Sequence, residues 1–166
     1  MADDEPGIAA EAPAPPRHGM AAEFFASGFY IGYAPKAPGT FGSIFGLAIA
    51  TALLTEGHLP LVFGILVASA LGLWSIAGSG AADRDPGWIV IDEIAGQMIA
   101  ALALDRISVL GLLVAFGLFR LFDIWKPGPV GWADRRHDEW GVMGDDWIAG
   151  GLAACCILLI DLAVNL

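Results

Sequence analysis

Charge is scarce in this 166-residue chain. Only 16% of its residues are charged, against about 25% in ordinary soluble domains. Hydrophobic residues make up 57%, and the mean hydropathy is +0.67. One domain of that length with so thin a polar surface points to the membrane, the alternative being a soluble helical domain with an unusually large core. Basic residues number eight and gather into no basic face, which argues against a nucleic-acid partner. Cysteine is nearly absent. Cys155 and Cys156 are adjacent in an apolar run, so no disulfide framework or paired-cysteine metal motif is available. The three histidines, His18, His58 and His137, are scattered.

Familiar catalytic signatures are missing too. No G-x-S-x-G, H-E-x-x-H or G-x-x-x-x-G-K-[ST] occurs, which removes the nucleophile elbow, the zinc-protease helix and the P-loop. No cysteine is followed six residues later by arginine, and the Asp-x-Asp of "DRD" at 83–85 lacks an apolar strand before it.

The net charge is −10, and part of it sits in the first twenty residues. That stretch is rich in Pro, Ala and acid and reads as a disordered tail, residues 1–20, ahead of a helical membrane domain, residues 21–166. Its acidic start, with no apolar segment directly after, is not that of a signal peptide.

Apolar runs cover residues 43–54, 59–82, 94–118 and 148–164. A spanning helix needs about 20 residues. A charged pair inside the third run would cost at least ~3 kcal/mol at mid-membrane. Asp105–Arg106 is therefore read as a turn between two helices, 88–104 and 107–126. The fold class is all-α: a compact bundle of about five membrane-associated helices. Arg17, Lys36, Arg84, Arg120, Lys126, Arg135 and Arg136 then fall on one side and Arg106 alone on the other. By the positive-inside rule the first side is cytoplasmic.

Four polar clusters collect on that side. "GYAPKAPGTFGS" (32–43) places small residues before a helix starting at Thr40 or Ser43, where free N–H groups suit a phosphate and Lys36 adds charge. "IVIDEIAGQ" (89–97) sets Asp92 and Glu93 side by side at the rim of an apolar helix. Acids there favour the helix dipole, but two are costly unless paired or metal-bound. In "RLFDIWKP" (120–127), Arg120, Asp123 and Lys126 share a helix face. The stripe reads as an ion-pair ladder stopped by Pro127, or as a phosphate site in which Arg offers a planar fork and Lys a point charge. "DRRH" (134–137) follows at headgroup depth. In "GVMGDDWIAGG" (141–151), Asp145 and Asp146 precede the last helix. One would serve as its N-cap, and the pair exceeds what capping needs. Carboxylates beside basic residues at a membrane face suggest metal-assisted chemistry on a phosphate, with a hard cation such as Mg²⁺.

Taken together, "PGTFGS" (38–43), "VIDEIAGQ" (90–97), "FRLFDIWKPGPV" (119–130) and "GVMGDDWIAG" (141–150) resemble the phosphatidylglycerophosphatase A family in content, order and spacing. The resemblance covers roughly residues 24–164. It implies an all-helical fold in the bacterial cytoplasmic (inner) membrane. It implies Mg²⁺-dependent removal of the terminal phosphate of phosphatidylglycerophosphate, giving phosphatidylglycerol. Asp92, Glu93, Asp123, Asp145 and Asp146 become the catalytic acids, with Asp92, Glu93, Asp123 and Asp146 as metal ligands. Lys36, Thr40, Arg120 and Lys126 are the expected phosphate contacts. A related phosphatase acting on a soluble phosphomonoester such as α-ribazole phosphate would keep the same acids. A small cation carrier would spread its acids through the membrane depth, whereas these cluster at one face.

Overall fold

The computed structural model describes residues 19–164; the expected tail lies outside them but for its last two positions. Seven α-helices and no strand occur among the described residues, so the all-α expectation stands. They are α1 (Met20–Ala26), α2 (Pro38–Leu54), α3 (His58–Ser79), α4 (Ile91–Ala101), α5 (Val109–Trp125), α6 (Pro129–Asp134) and α7 (Glu139–Val164), with a 3₁₀ turn at Ile31–Tyr33.

The boundaries follow from local chemistry. Pro38 and Pro129 sit in the first turns of α2 and α6, where a missing N–H costs nothing. Ser108 caps α5 by accepting from the Gly111 N–H at 3.0 Å. Gly80 ends α3 in the left-handed conformation. The Asp105–Arg106 turn is found as expected, between α4 and α5.

α4 is the hub. Nine of its eleven residues are buried, and it packs against α2, α3, α5 and α7. Its contact with α7 depends on two glycines. A Cβ on Gly150 would lie 2.3 Å from the Gly96 carbonyl oxygen, and one on Gly96 would lie 2.6 Å from that of Asp146. The two backbones meet where no side chain fits.

Three boundaries differ from expectation. α4 does not run over 88–104. At 11 residues it is about 16 Å long, half the ~30 Å hydrocarbon thickness. The chain before it is broken by Pro86 and Gly87, and the Val90 N–H bonds the Ala26 carbonyl at 2.9 Å. Wrapped in protein, it has no lipid to cross. α3 and α7 are long and apolar enough to span, whereas α2 and α5, at 17 residues each, reach about 25 Å. α2 begins at Pro38, not at Thr40 or Ser43. α7 begins at Glu139, nine residues before the expected start, because Asp138 caps it by accepting from the Gly141 N–H at 2.7 Å. Asp145 and Asp146 therefore lie inside the helix and cap nothing.

The outer faces of α3, α5 and α7 expose Leu59, Phe63, Leu66, Leu110, Leu113, Leu159 and Leu162. A surface so apolar suits lipid, not water. Trp74, Trp125, Trp132 and Trp140 are exposed as well; the last three lie close in sequence to the acid-bearing segments, and tryptophan favours the membrane–water boundary. At the opposite pole the α2–α3 and α4–α5 turns meet, with His58 Nε2 3.1 Å from the Leu104 carbonyl.

Candidate active site

The first turn of α4 carries Asp92 and Glu93 into the interior. Asp92 is buried and accepts from the Glu93 N–H at 3.0 Å. The close α4–α7 approach brings Asp146, also buried, alongside them. One carboxylate oxygen from each of Asp92, Glu93 and Asp146 lies within 4.8 Å of the others. Three acids so close would repel strongly in a dry interior. Glu93 Oε2 and Asp146 Oδ1 are buried with no hydrogen-bond partner, a costly state for a carboxylate. Hard oxygen donors with unpartnered lone pairs fit Mg²⁺, which prefers carboxylates plus water and phosphate oxygens.

α2 and α5 bring the positive charge. A Cβ on Gly39 would sit 2.1 Å from Glu93 Oε1 and 3.4 Å from Arg120 Nη1. Glycine thus lets the start of α2 close over the acids. Arg120 Nη1 donates to the Ser43 hydroxyl at 3.3 Å, and that hydroxyl donates to the Gly39 carbonyl at 2.8 Å. The same guanidinium pairs with Asp123, one turn along α5. The expected Arg–Asp contact on one helix face is present, and it is tied to a second helix.

Lys126 ends α5 in the left-handed conformation, φ +49°, which turns the chain toward α6. Its ammonium bridges Asp134 on α6 and, at 2.6 Å, Asp145 on α7. Desolvation pulls the Lys126 pKa down, and the two carboxylates together outweigh it, so the net shift is upward. A pocket of about 300 Å³ opens beside Asp145 and Asp134, lined also by Asp85, Arg84, Arg136 and His137.

The expected site residues divide into layers. Asp92, Glu93 and Asp146 form the close triad. Asp123 belongs to the Arg120 pair, and Asp145 to the Lys126 bridge. Thr40 is half-buried in the first turn of α2, while Lys36 is exposed in the loop before it. The free amides expected there are partly used, since the Thr40 and Phe41 N–H groups donate to the Ala37 carbonyl at 2.9 and 3.4 Å.

Sequence reasoning passed over Ser43, Asp134 and Gln97. Ser43 was read only as a possible helix start, and Asp134 stood in "DRRH", read for its cations. Gln97 lies one turn from Glu93, fully buried, with neither amide atom hydrogen-bonded. The i, i+4 spacing from Glu93 was the available signal.

Known proteins bear on this arrangement. The profile of the family Phosphatidylglycerophosphatase A matches residues 24–161. The chain is 34% identical over 140 residues to Phosphatidylglycerophosphatase A of Escherichia coli, covering 81% of this chain and 80% of that one. It is 36% identical over 142 residues to the Haemophilus influenzae protein of the same name, covering 82% and 86%. A Bacteroides thetaiotaomicron protein, named provisionally as a phosphatidylinositol-3-phosphatase, is 36% identical over 137 residues, covering 75% and 83%. No solved structure matches significantly. With the profile spanning all four polar segments, the chain belongs to the phosphatidylglycerophosphatase A family of phosphatases.

Proposed function

We propose that this protein hydrolyses the terminal phosphomonoester of phosphatidylglycerophosphate, yielding phosphatidylglycerol and phosphate, with Mg²⁺ and at the cytoplasmic face of the bacterial inner membrane. The observation that carries the reading is the triad Asp92–Glu93–Asp146, its ligand oxygens within 4.8 Å of one another, with Asp92 and Asp146 buried and Glu93 half-buried, adjoined by Arg120 through Gly39. Family membership supports a phosphatase, and the related E. coli and H. influenzae enzymes are named for this lipid.

Asp92, Glu93 and Asp146 would hold Mg²⁺, which supplies Lewis-acid stabilisation of phosphate oxygens. Arg120, already fixed by Asp123 and Ser43, offers its remaining donors to a phosphate oxygen. Lys126, held by Asp134 and Asp145, adds a second fixed charge, with Lys36 and Thr40 at the outer edge. Such preorganised charge stabilises an in-line displacement at phosphorus. Water attacks phosphorus directly, or one aspartate attacks first and water then hydrolyses the aspartyl phosphate; in either case the phosphorus–ester oxygen bond breaks and that oxygen leaves with a proton. Exposed tryptophans and apolar helix faces would seat the protein so that a headgroup meets these groups at the membrane boundary.

The test is phosphate release by purified protein in detergent, offering phosphatidylglycerophosphate, phosphatidylinositol 3-phosphate and α-ribazole phosphate side by side. Release from phosphatidylglycerophosphate above the others is expected. Release only from α-ribazole phosphate would move the site to a soluble substrate.

A further inference from the structure

A groove of about 400 Å³ runs along the outside of the bundle between α2 and α5, lined by Ile44, Leu47, Val109, Leu112, Leu113 and Phe116. All six are apolar. Their sequence positions tie the groove to the active site. Ile44 adjoins Ser43, and Leu47 stands one helical turn from it. Phe116 stands one turn before Arg120, so Leu113, Phe116 and Arg120 form one stripe along α5. Beyond these residues the same two helices are joined by Arg120 Nη1 donating to the Ser43 hydroxyl at 3.3 Å. From Val109 to Phe116 the α5 wall is about 10 Å long, and Arg120 lies about 6 Å beyond it.

We infer that this groove is a binding site for an acyl chain of the lipid whose headgroup phosphate the site receives. The inference rests on the lipid-phosphatase reading and adds how a bilayer substrate is held. An apolar groove whose α5 wall continues along the helix to a guanidinium matches a molecule with a hydrocarbon tail and an anionic head. Other lipid-facing surface, such as Leu59, Phe63 and Leu66 on α3, has no such link to the acids. A chain in the groove fixes the approach of the headgroup to Arg120 and Glu93, so tail binding helps position the reacting phosphate.

The experiment has two arms on the full chain in detergent. In the first, phosphatidylglycerophosphate bearing a photoreactive acyl chain is cross-linked and the labelled peptides are mapped. Label concentrated on residues 44–47 and 109–116, above that on α3, is expected. A photoreactive phosphatidylcholine should show no such preference. Equal labelling of α3, the same pattern from phosphatidylcholine, or cross-links joining two protein copies through the groove would overturn the inference. In the second arm, Leu47→Trp and Leu113→Trp fill the groove. The ratio of hydrolysis of the dioleoyl substrate to that of its deacylated headgroup should fall about tenfold in each tryptophan variant. That is the loss of burying about two methylene groups. An unchanged ratio in variants that remain folded would overturn it. Groove labelling without hydrolysis of the lipid by wild type would keep the acyl site and remove the substrate reading instead.

Discussion

Arg120 on α5 donates to the Ser43 hydroxyl on α2 at 3.3 Å, joining residues 77 positions apart in sequence. Ser43 passes the contact on to the Gly39 carbonyl at 2.8 Å, beside Glu93. The guanidinium is thereby aimed by a second helix. Arg120→Ala should lower kcat by about 10²–10³-fold, as for loss of a preorganised charged donor. Ser43→Ala, which only loosens the aim, should cost about tenfold. Steady-state rates for the two variants at saturating Mg²⁺ check the order; equal losses would contradict it.

Gly39→Ala places a methyl group where Glu93 Oε1 now lies, 2.1 Å from the new carbon. The carboxylate is a side-chain end and gives way more easily than backbone. Activity should fall at least about tenfold, while thermal unfolding in detergent stays close to wild type. A fully active Gly39→Ala protein would show that Glu93 does not need its present position.

Gly96→Ala meets backbone instead, with the Asp146 carbonyl oxygen at 2.6 Å and Phe119 at the same distance. Forcing α4 and α7 apart should cost about 1–3 kcal/mol of stability and displace Asp146. Thermal unfolding and activity should both fall. The contrast with Gly39→Ala separates packing from chemistry.

Asp123→Asn removes the negative partner of Arg120 and keeps the shape of the side chain. Activity should be lost and the fold retained, read by phosphate release and by size-exclusion profile. An active Asp123→Asn enzyme would remove Asp123 from the catalytic set.

Asp134→Asn releases one of the two carboxylates that hold Lys126. The lysine then pairs with Asp145 alone, and kcat/KM should fall about tenfold, with Asp134→Glu restoring most of it. Failure of the glutamate to rescue would point to a structural role for Asp134.

The sequence showed which acids belong together more clearly than how they meet. Asp145 and Asp146 were legible because two acids exceed what a helix cap needs, and Asp92 and Glu93 because paired carboxylates are expensive in an apolar helix. The Asp105–Arg106 turn was legible for the same reason. The length of α4 was not, because apolar composition does not distinguish a helix wrapped in protein from one facing lipid. Nor was the start of α7, since Gly141 and Gly144 look like loop residues until the cap at Asp138 is seen. Ser43 and Asp134 stayed hidden for a different reason. Their partners, Arg120 and Lys126, come from distant segments, and a single sequence carries no record of that pairing.

The most direct test of the central claim is phosphate release from phosphatidylglycerophosphate by the purified protein, stripped with a chelator and titrated back with Mg²⁺, beside Glu93→Gln. The account predicts no release after stripping, recovery with Mg²⁺, and at least about a hundredfold loss in Glu93→Gln at any Mg²⁺ concentration. Full activity in chelator, or wild-type rates from Glu93→Gln, would contradict it.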